Sequence, residues 1–261
     1  MSWFARRHRK KLLDSPIPER WREILARNVP CARSLSDDEK TALLRLTGVF
    51  LEEKSFEGAG GFEVTEEVRV TIAAQACLLL LGRSADILVA RVFPALQSVI
   101  VYPSEFVARL EEYQPDGTVY DGPEERYGES WAQGAVVLSW DDVKAGASDP
   151  ADGENVVLHE FAHQLDEETG ESNGVPLLSS PEDYAEWARV MSREFEEFVE
   201  KIERNRRVLL DEYAAEDPAE FFAVATEFFF ERPNALRTRH PDLYRQFRTF
   251  YQQDPAKRVR S

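Results

Sequence analysis

Residues 159–163 read His-Glu-Phe-Ala-His. On a helix, positions i and i+4 lie one turn apart on the same face, so the imidazoles of His159 and His163 can both reach one Zn²⁺. Glu160 follows the first histidine and can then face a water at that metal, where a general base is needed. Val156, Val157, Leu158, Phe161, Ala162 and Leu165 supply an apolar face for the helix, and Gly170 supplies a stop. A chance HExxH on a solvated helix would not need that apolar setting. Asp166, three residues past His163, is placed to orient that imidazole from behind. Read only as a carboxylate near a helix C-terminus, it would be mildly unfavourable against the dipole.

Two histidines do not complete such a site. Catalytic zinc takes three protein ligands and keeps a fourth position for water. The pattern with a third histidine, HExxHxxGxxH, is excluded because position 166 is Asp and position 169 is Thr. The simplest remaining source is a glutamate on a second helix, and the segment Asp217–Glu227 offers one. Asp217 is a good N-cap and Pro218 suits the first helical position. Phe221, Phe222, Val224, Ala225, Phe228 and Phe229 make the helix strongly apolar, while Glu220 and Glu227 fall on nearly one face of it. Carboxylates on so apolar a helix need partners. The rival reading has Glu220 completing a capping box with Asp217 and Glu227 exposed. Glu216 is a further candidate ligand, and spacing leaves the choice open. A structural zinc site would favour four closed ligands with cysteine among them, and neither Cys31 nor Cys77 is near the motif.

The elements that position these residues follow from caps and periodicity. Helices are expected over residues 17–30, from the capping box Ser36-Asp37-Asp38-Glu39 to about Glu53, and over 65–81. Further helices are expected over about 181–205, 217–231 and 241–252. Short β-prone runs lie at Ile87–Phe93 and in Ser98–Pro103. Pro115–Gln133 reads as a long loop, and Gly134–Trp140 reads as a strand. That strand is either a plain core strand or one along which an extended peptide pairs. Helices at both ends with a few strands between them point to an α+β, mostly helical fold with a small sheet. An N-terminal helical portion (about residues 1–85) is expected to pack on a catalytic core (about residues 86–261) in one domain.

Composition narrows the function classes. The chain has 261 residues, 43% hydrophobic and 31% charged, within the ordinary globular range. The net charge of −16 argues against direct nucleic-acid binding. The basic cluster Arg6, Arg7, Arg9, Lys10 and Lys11 reads as a solvated segment. No apolar run approaches the roughly 18–20 residues of a membrane span, and no secretory signal pattern opens the chain. Two cysteines give no disulfide framework, which suits a reducing, cytoplasmic setting.

Five stretches together resemble the Mlc titration factor A family, bacterial glucose-regulated zinc metallopeptidases. They are the basic aromatic N-terminus, the tryptophan helix after Ile17-Pro18-Glu19-Arg20-Trp21, residues 128–143 (GESWAQGAVVLSWDDV), residues 159–166 (HEFAHQLD) and residues 215–230 (AEDPAEFFAVATEFFF). The resemblance covers most of the chain and extends to the catalytic domain of anthrax lethal factor. It implies a zincin-like metallopeptidase domain with an HExxH active-site helix. In those proteins the glutamate before Phe-Phe-Ala is the third zinc ligand, here Glu220. A tyrosine seven residues earlier, here Tyr213, supports the transition state. The resemblance also implies aminopeptidase-like cleavage of a peptide or protein substrate, and binding to the Mlc glucose repressor, which lifts its repression. A repressor-titrating binding protein with incidental peptidase activity is the alternative, and an intact Glu160 argues against a purely degenerate site.

Overall fold

Ser36 opens a long helix by the reciprocal bonds the sequence predicts. Its hydroxyl accepts from Glu39 N at 3.2 Å, and the Glu39 carboxylate accepts from Ser36 N at 2.8 Å. The computed structural model describes residues 3–83, 92–104 and 134–258, and between 106 and 131 the backbone of five short strands. Three helices precede the sheet's second strand as expected: α2 (Glu19–Asn28), α3 (Asp37–Glu53) and α4 (Glu66–Leu78), the last capped by Thr65. Every residue of α4 from Val70 to Leu78 is buried, so this helix runs through the core.

The N-terminus adds a helix that the sequence reading did not place. Trp3–Leu13 form α1, on which Arg7, Lys10 and Lys11 are exposed as expected of the basic cluster, and Arg9 is not. Arg9 is buried and forks onto Glu53 of α3, with Nη2 donating to Oε2 at 2.6 Å and Nε paired to Oε1. His8 lies 3.6 Å from Glu52. The acidic end of α3 thus gathers part of the basic run, a partner 44 residues away that a local charge count does not reveal.

The main sheet has the order β1 (Ser55–Gly58), β2 (Ser98–Tyr102), β8 (Ala135–Ser139), β7 (Gly128–Trp131). The first three are parallel, with Val101 opposite Leu138, and β7 runs antiparallel to β8. The stretch expected as a loop is therefore partly strand. Besides β7 it holds β5 (Val119–Tyr120) and β6 (Pro123–Arg126), which pair antiparallel with β4 (Glu112–Tyr113) and β3 (Phe106–Arg109). A strand such as Pro-Glu-Glu-Arg carries no apolar alternation, so only backbone pairing identifies it. Strand β8 is flanked on both sides, which removes the peptide-pairing alternative for Gly134–Trp140. Ser139 ends β8 and caps a short helix, α5 (Trp140–Gly146), where a connection was expected. The strand expected at Ile87–Phe93 lies outside the described residues except for Val92 and Phe93, which are buried and not in a strand.

The remaining helices are α6 (Val156–Asp166), α7 (Pro181–Glu203), α8 (Pro218–Glu231), α9 (Pro233–Arg239), α10 (Pro241–Tyr251) and α11 (Pro255–Arg258). Among the described residues the fold is mostly helical with a small, largely parallel sheet, an α+β arrangement. Helix α6 packs between the sheet side, through β7 and β8, and the apolar helix α8. The other side of α8 meets an aromatic cluster in which Trp187 of α7 stacks on Phe247 at 5.7 Å, while Phe222 edges onto Trp187 and tilts against Phe247. Among the described residues no helix is long and apolar enough to cross a membrane.

Candidate metal centre

Asn155 starts α6 by accepting from Leu158 N at 3.0 Å through its side-chain oxygen. Val157, Leu158, Phe161, Ala162 and Leu165 are buried in the core, which turns His159 and His163 to the opposite face, towards α8. The two rings stand 4.9 Å apart, and their Nε2 atoms are 3.2 Å apart. Asp217 caps α8 by accepting from Ala219 N at 2.7 Å and Glu220 N at 3.0 Å. The Glu220 side chain takes no part in that cap and turns to the histidines. Its Oε2 is 3.0 Å from His159 Nε2 and its Oε1 is 3.5 Å from His163 Nε2. The ligand atoms of His159, His163 and Glu220 lie within 4.8 Å of one another, the one such His/Cys/Asp/Glu group among the described residues.

The donor chemistry of this cluster calls for a cation. Glu227, buried on α8, places Oε1 2.9 Å from His159 Nδ1. If Nδ1 carries the ring proton to that carboxylate, Nε2 presents a lone pair. That lone pair faces Glu220 Oε2, which is buried and lacks hydrogen-bond alignment, and it also faces His163 Nε2. Three electron-pair donors pointed at one another repel unless a proton or a metal ion sits between them. The electrostatics agree. Burial alone would push the His159 imidazole down, but Glu220, Glu227 and Glu160 outweigh it and hold it well above its ordinary value. Burial would push the Glu220 carboxyl up, but the two imidazoles hold it down at about 2. Burial pushes the Glu227 carboxyl up, against the pull of His159 and of Asn155 N–H. Borderline nitrogen and oxygen donors in a group of three fit Zn²⁺.

Two further groups border the cluster. Glu160 is buried on α6, and its charge acts on both His159 and Tyr213. Tyr213 sits on a 3-10 turn, Glu212–Ala215, fixed by Asp211 accepting from Tyr213 N at 2.8 Å. Its ring is 6.1 Å from that of His159 and 52% exposed, so it borders the cluster from the solvent side. Partial burial and then the charges of Glu220, Glu216 and Glu160 push the Tyr213 hydroxyl up, so it stays a hydrogen-bond donor at neutral pH.

Residues 3–252 match the family described as glucose-regulated metallo-peptidase M90. The chain belongs to this family. An uncharacterized protein of Synechocystis sp. is 38% identical over 248 residues, covering 94% of this chain and 88% of its own. The Mlc titration factor A of Enterobacter sp. (strain 638) is 36% identical over 250 residues, covering 95% and 90%. That of Escherichia coli (strain 55989 / EAEC) is 35% identical over 242 residues, covering 92% and 88%.

In this M90 chain the structure separates the glutamates that spacing left open. Glu220 joins the histidines, Glu216 is exposed, and Glu227 meets His159 from behind. The sequence signal for Glu227 was present, a second acid on the same face of an apolar helix, but its partner was not legible. Asp166 departs from its expected part. It is fully buried, yet its Oδ2 accepts from Gly174 N at 2.7 Å and ties down the loop after α6 instead of bonding the His163 ring. Gly174 (φ 75°) lies so close to Pro218 O that a Cβ would come within 2.4 Å, and Trp187 Nε1 donates to Gly174 O at 2.9 Å. Asp166 thus secures the segment that backs the first turn of α8.

Proposed function

We propose that this M90-family protein is a zinc-dependent peptidase with a zincin-like active site, in which His159, His163 and Glu220 hold the metal. The convergence of those three groups, with a surplus of buried negative charge around them, carries the reading. Zinc held there would supply Lewis acidity to the scissile carbonyl and to the attacking water. Glu160 receives one proton of that water as its oxygen bonds to the carbonyl carbon. The same carboxyl then delivers that proton to the amide nitrogen as the C–N bond breaks, leaving a carboxylic acid and an amine, and the acid's remaining proton passes to the amine to give carboxylate and ammonium. Tyr213 donates its hydroxyl proton in a hydrogen bond to the carbonyl oxygen, where negative charge grows. Strand β7, an end strand of the main sheet among the described residues and a neighbour of α6, is where an extended peptide would pair its backbone. Aminopeptidase-like cleavage belongs to the same reading.

Relatives named Mlc titration factor A favour a second activity alongside the first. In this reading the chain also binds an Mlc-type transcriptional repressor, in the cytoplasm, where free Cys31 and Cys77 stay reduced. Glu160→Gln tests both. Zinc should remain bound, since no ligand changes, and peptide turnover should fall by several orders of magnitude, because the water loses its base. Repressor affinity measured by calorimetry should persist, because a buried residue is altered. Undiminished turnover would overturn the mechanism. Repressor binding lost together with turnover would place the repressor in the active-site cleft.

A further inference from the structure

His159 is gripped from both sides by α8, with Nε2 facing Glu220 and Nδ1 facing Glu227. Glu227 is itself pinned, since its Oε2 accepts the backbone N–H of Asn155, the cap of α6. The Asn155 side chain extends the tie. Its Nδ2 donates to Glu231 Oε1 at 3.0 Å, one turn further along α8, and to Gln75 Oε1 on α4 at 2.9 Å. One residue, four positions before His159, therefore joins three helices. Gln75, Asn155, Glu227 and Glu231 are all buried, where polar groups are costly unless their bonds are made.

We propose that Asn155 and Glu227 are positioning residues that fix His159 in the tautomer whose Nε2 lone pair faces the metal, which rests on the ligand set proposed above. Donor counting carries the argument. The Asn155 N–H belongs to the backbone and cannot turn away, so one Glu227 oxygen is committed to it. A carboxylate offers only acceptors, so the other oxygen takes the Nδ1 proton and leaves Nε2 bare. An amide in its place cannot serve both sides. With its oxygen towards His159, the NH₂ opposes the Asn155 N–H. With its oxygen towards Asn155, the NH₂ faces Nδ1 and drives the ring proton onto Nε2. Burial, and then the charge of Glu227, push the Glu231 carboxyl up to about 9, so at neutral pH it adds no second negative charge beside Glu227.

The test compares the full-length wild type with Glu227→Gln and Asn155→Ala, using Zn²⁺ alone as the probe. Chelator competition gives zinc affinity, and proton NMR of the zinc-loaded protein reads the protected imidazole N–H of His159, assignable because the chain has four histidines. Glu227→Gln should weaken zinc binding roughly 10–100-fold, the scale for losing an outer partner of a ligand, and should abolish the protected N–H signal. Asn155→Ala keeps its backbone N–H and should show a smaller loss of both. If Glu227→Gln does not fold, the same two readings on Asn155→Ala decide. A wild type that binds no zinc overturns the ligand set itself. A wild type that binds zinc, with Glu227→Gln binding equally tightly or keeping the N–H signal, overturns the positioning role alone.

Discussion

The pairs His240–Glu194 and His159–Glu227 are each an imidazole Nδ1 against a buried carboxylate, at 2.8 Å and 2.9 Å, yet their surroundings differ in charge. Glu194 of α7 reaches His240 at the junction of α9 and α10. Arg193 donates to Glu194 at 3.1 Å and to Asp242 at 2.7 Å, and Asp242 is also paired with Arg245. Acids and cations alternate there, so the cluster is balanced within the protein. Around His159 the acids accumulate. Among the described residues neither Glu220 nor Glu227 is paired with a lysine or arginine. Buried charge without a counter-ion is costly, and what faces these acids is the charge the imidazoles can take up, a place that a bound cation would fill on the proposed reading. The balanced pair fastens helices. The unbalanced one is built to bind.

The comparison breaks most sharply at Glu220. Glu220→Ala removes a donor from the unbalanced cluster and should strip most of the zinc, and hydrolysis with it, whereas Glu216→Ala, on an exposed side chain, should leave zinc content unchanged. Elemental analysis of the purified variants checks this, and near-normal zinc in Glu220→Ala would remove Glu220 from the ligand set.

Tyr213→Phe probes the edge of the same cluster. On the proposed mechanism, losing this hydroxyl should lower turnover roughly 10²–10³-fold. Zinc content and melting temperature should hardly change, because the ring is half exposed and the backbone of its turn is held by Asp211. A fall in activity that tracks a fall in melting temperature would make Tyr213 a packing residue.

What the sequence disclosed, and what it hid, divides along the same line. Helices α6 and α8 were legible because their evidence is local: the apolar face around His159, the Asp217-Pro218 start, and the Phe-rich run with two acids on one face. The partnerships were not local. Glu227 meets a histidine 68 positions away, and Asp166 meets a loop whose course depends on Trp187 and Pro218. Asn155 shows the limit most clearly. Nothing in the local sequence singles it out, while its ties to Gln75 and Glu231 span 80 and 76 positions. Strands β5 and β6 were missed for a related reason: β5 is only two residues long, β6 reads Pro-Glu-Glu-Arg, and backbone pairing leaves little trace in either side-chain pattern.

The smallest expected effect lies in the balanced pair, and it separates fastening from function. Glu194→Gln keeps the side chain's shape and removes its charge. Zinc content and turnover should stay at wild-type levels, while unfolding in denaturant should show a loss of about 1.5–3 kcal/mol, the scale of a hydrogen bond to a charged group. The loss should depend on pH in a defined sense. Burial pushes the Glu194 carboxyl up, but hydrogen bonds from His240 and Arg193 outweigh it, so its folded pKa lies below the ordinary value. A carboxyl depressed in the folded state stabilises above its unfolded pKa, about 4.3 for glutamate, and loses that contribution as pH falls through the folded value. The gap between wild type and Glu194→Gln should therefore be full at pH 6 and shrink as the solution is acidified below about pH 4. A gap that stays constant across that range would mean the variant acts through packing, and that the charge on Glu194 adds nothing to the fastening.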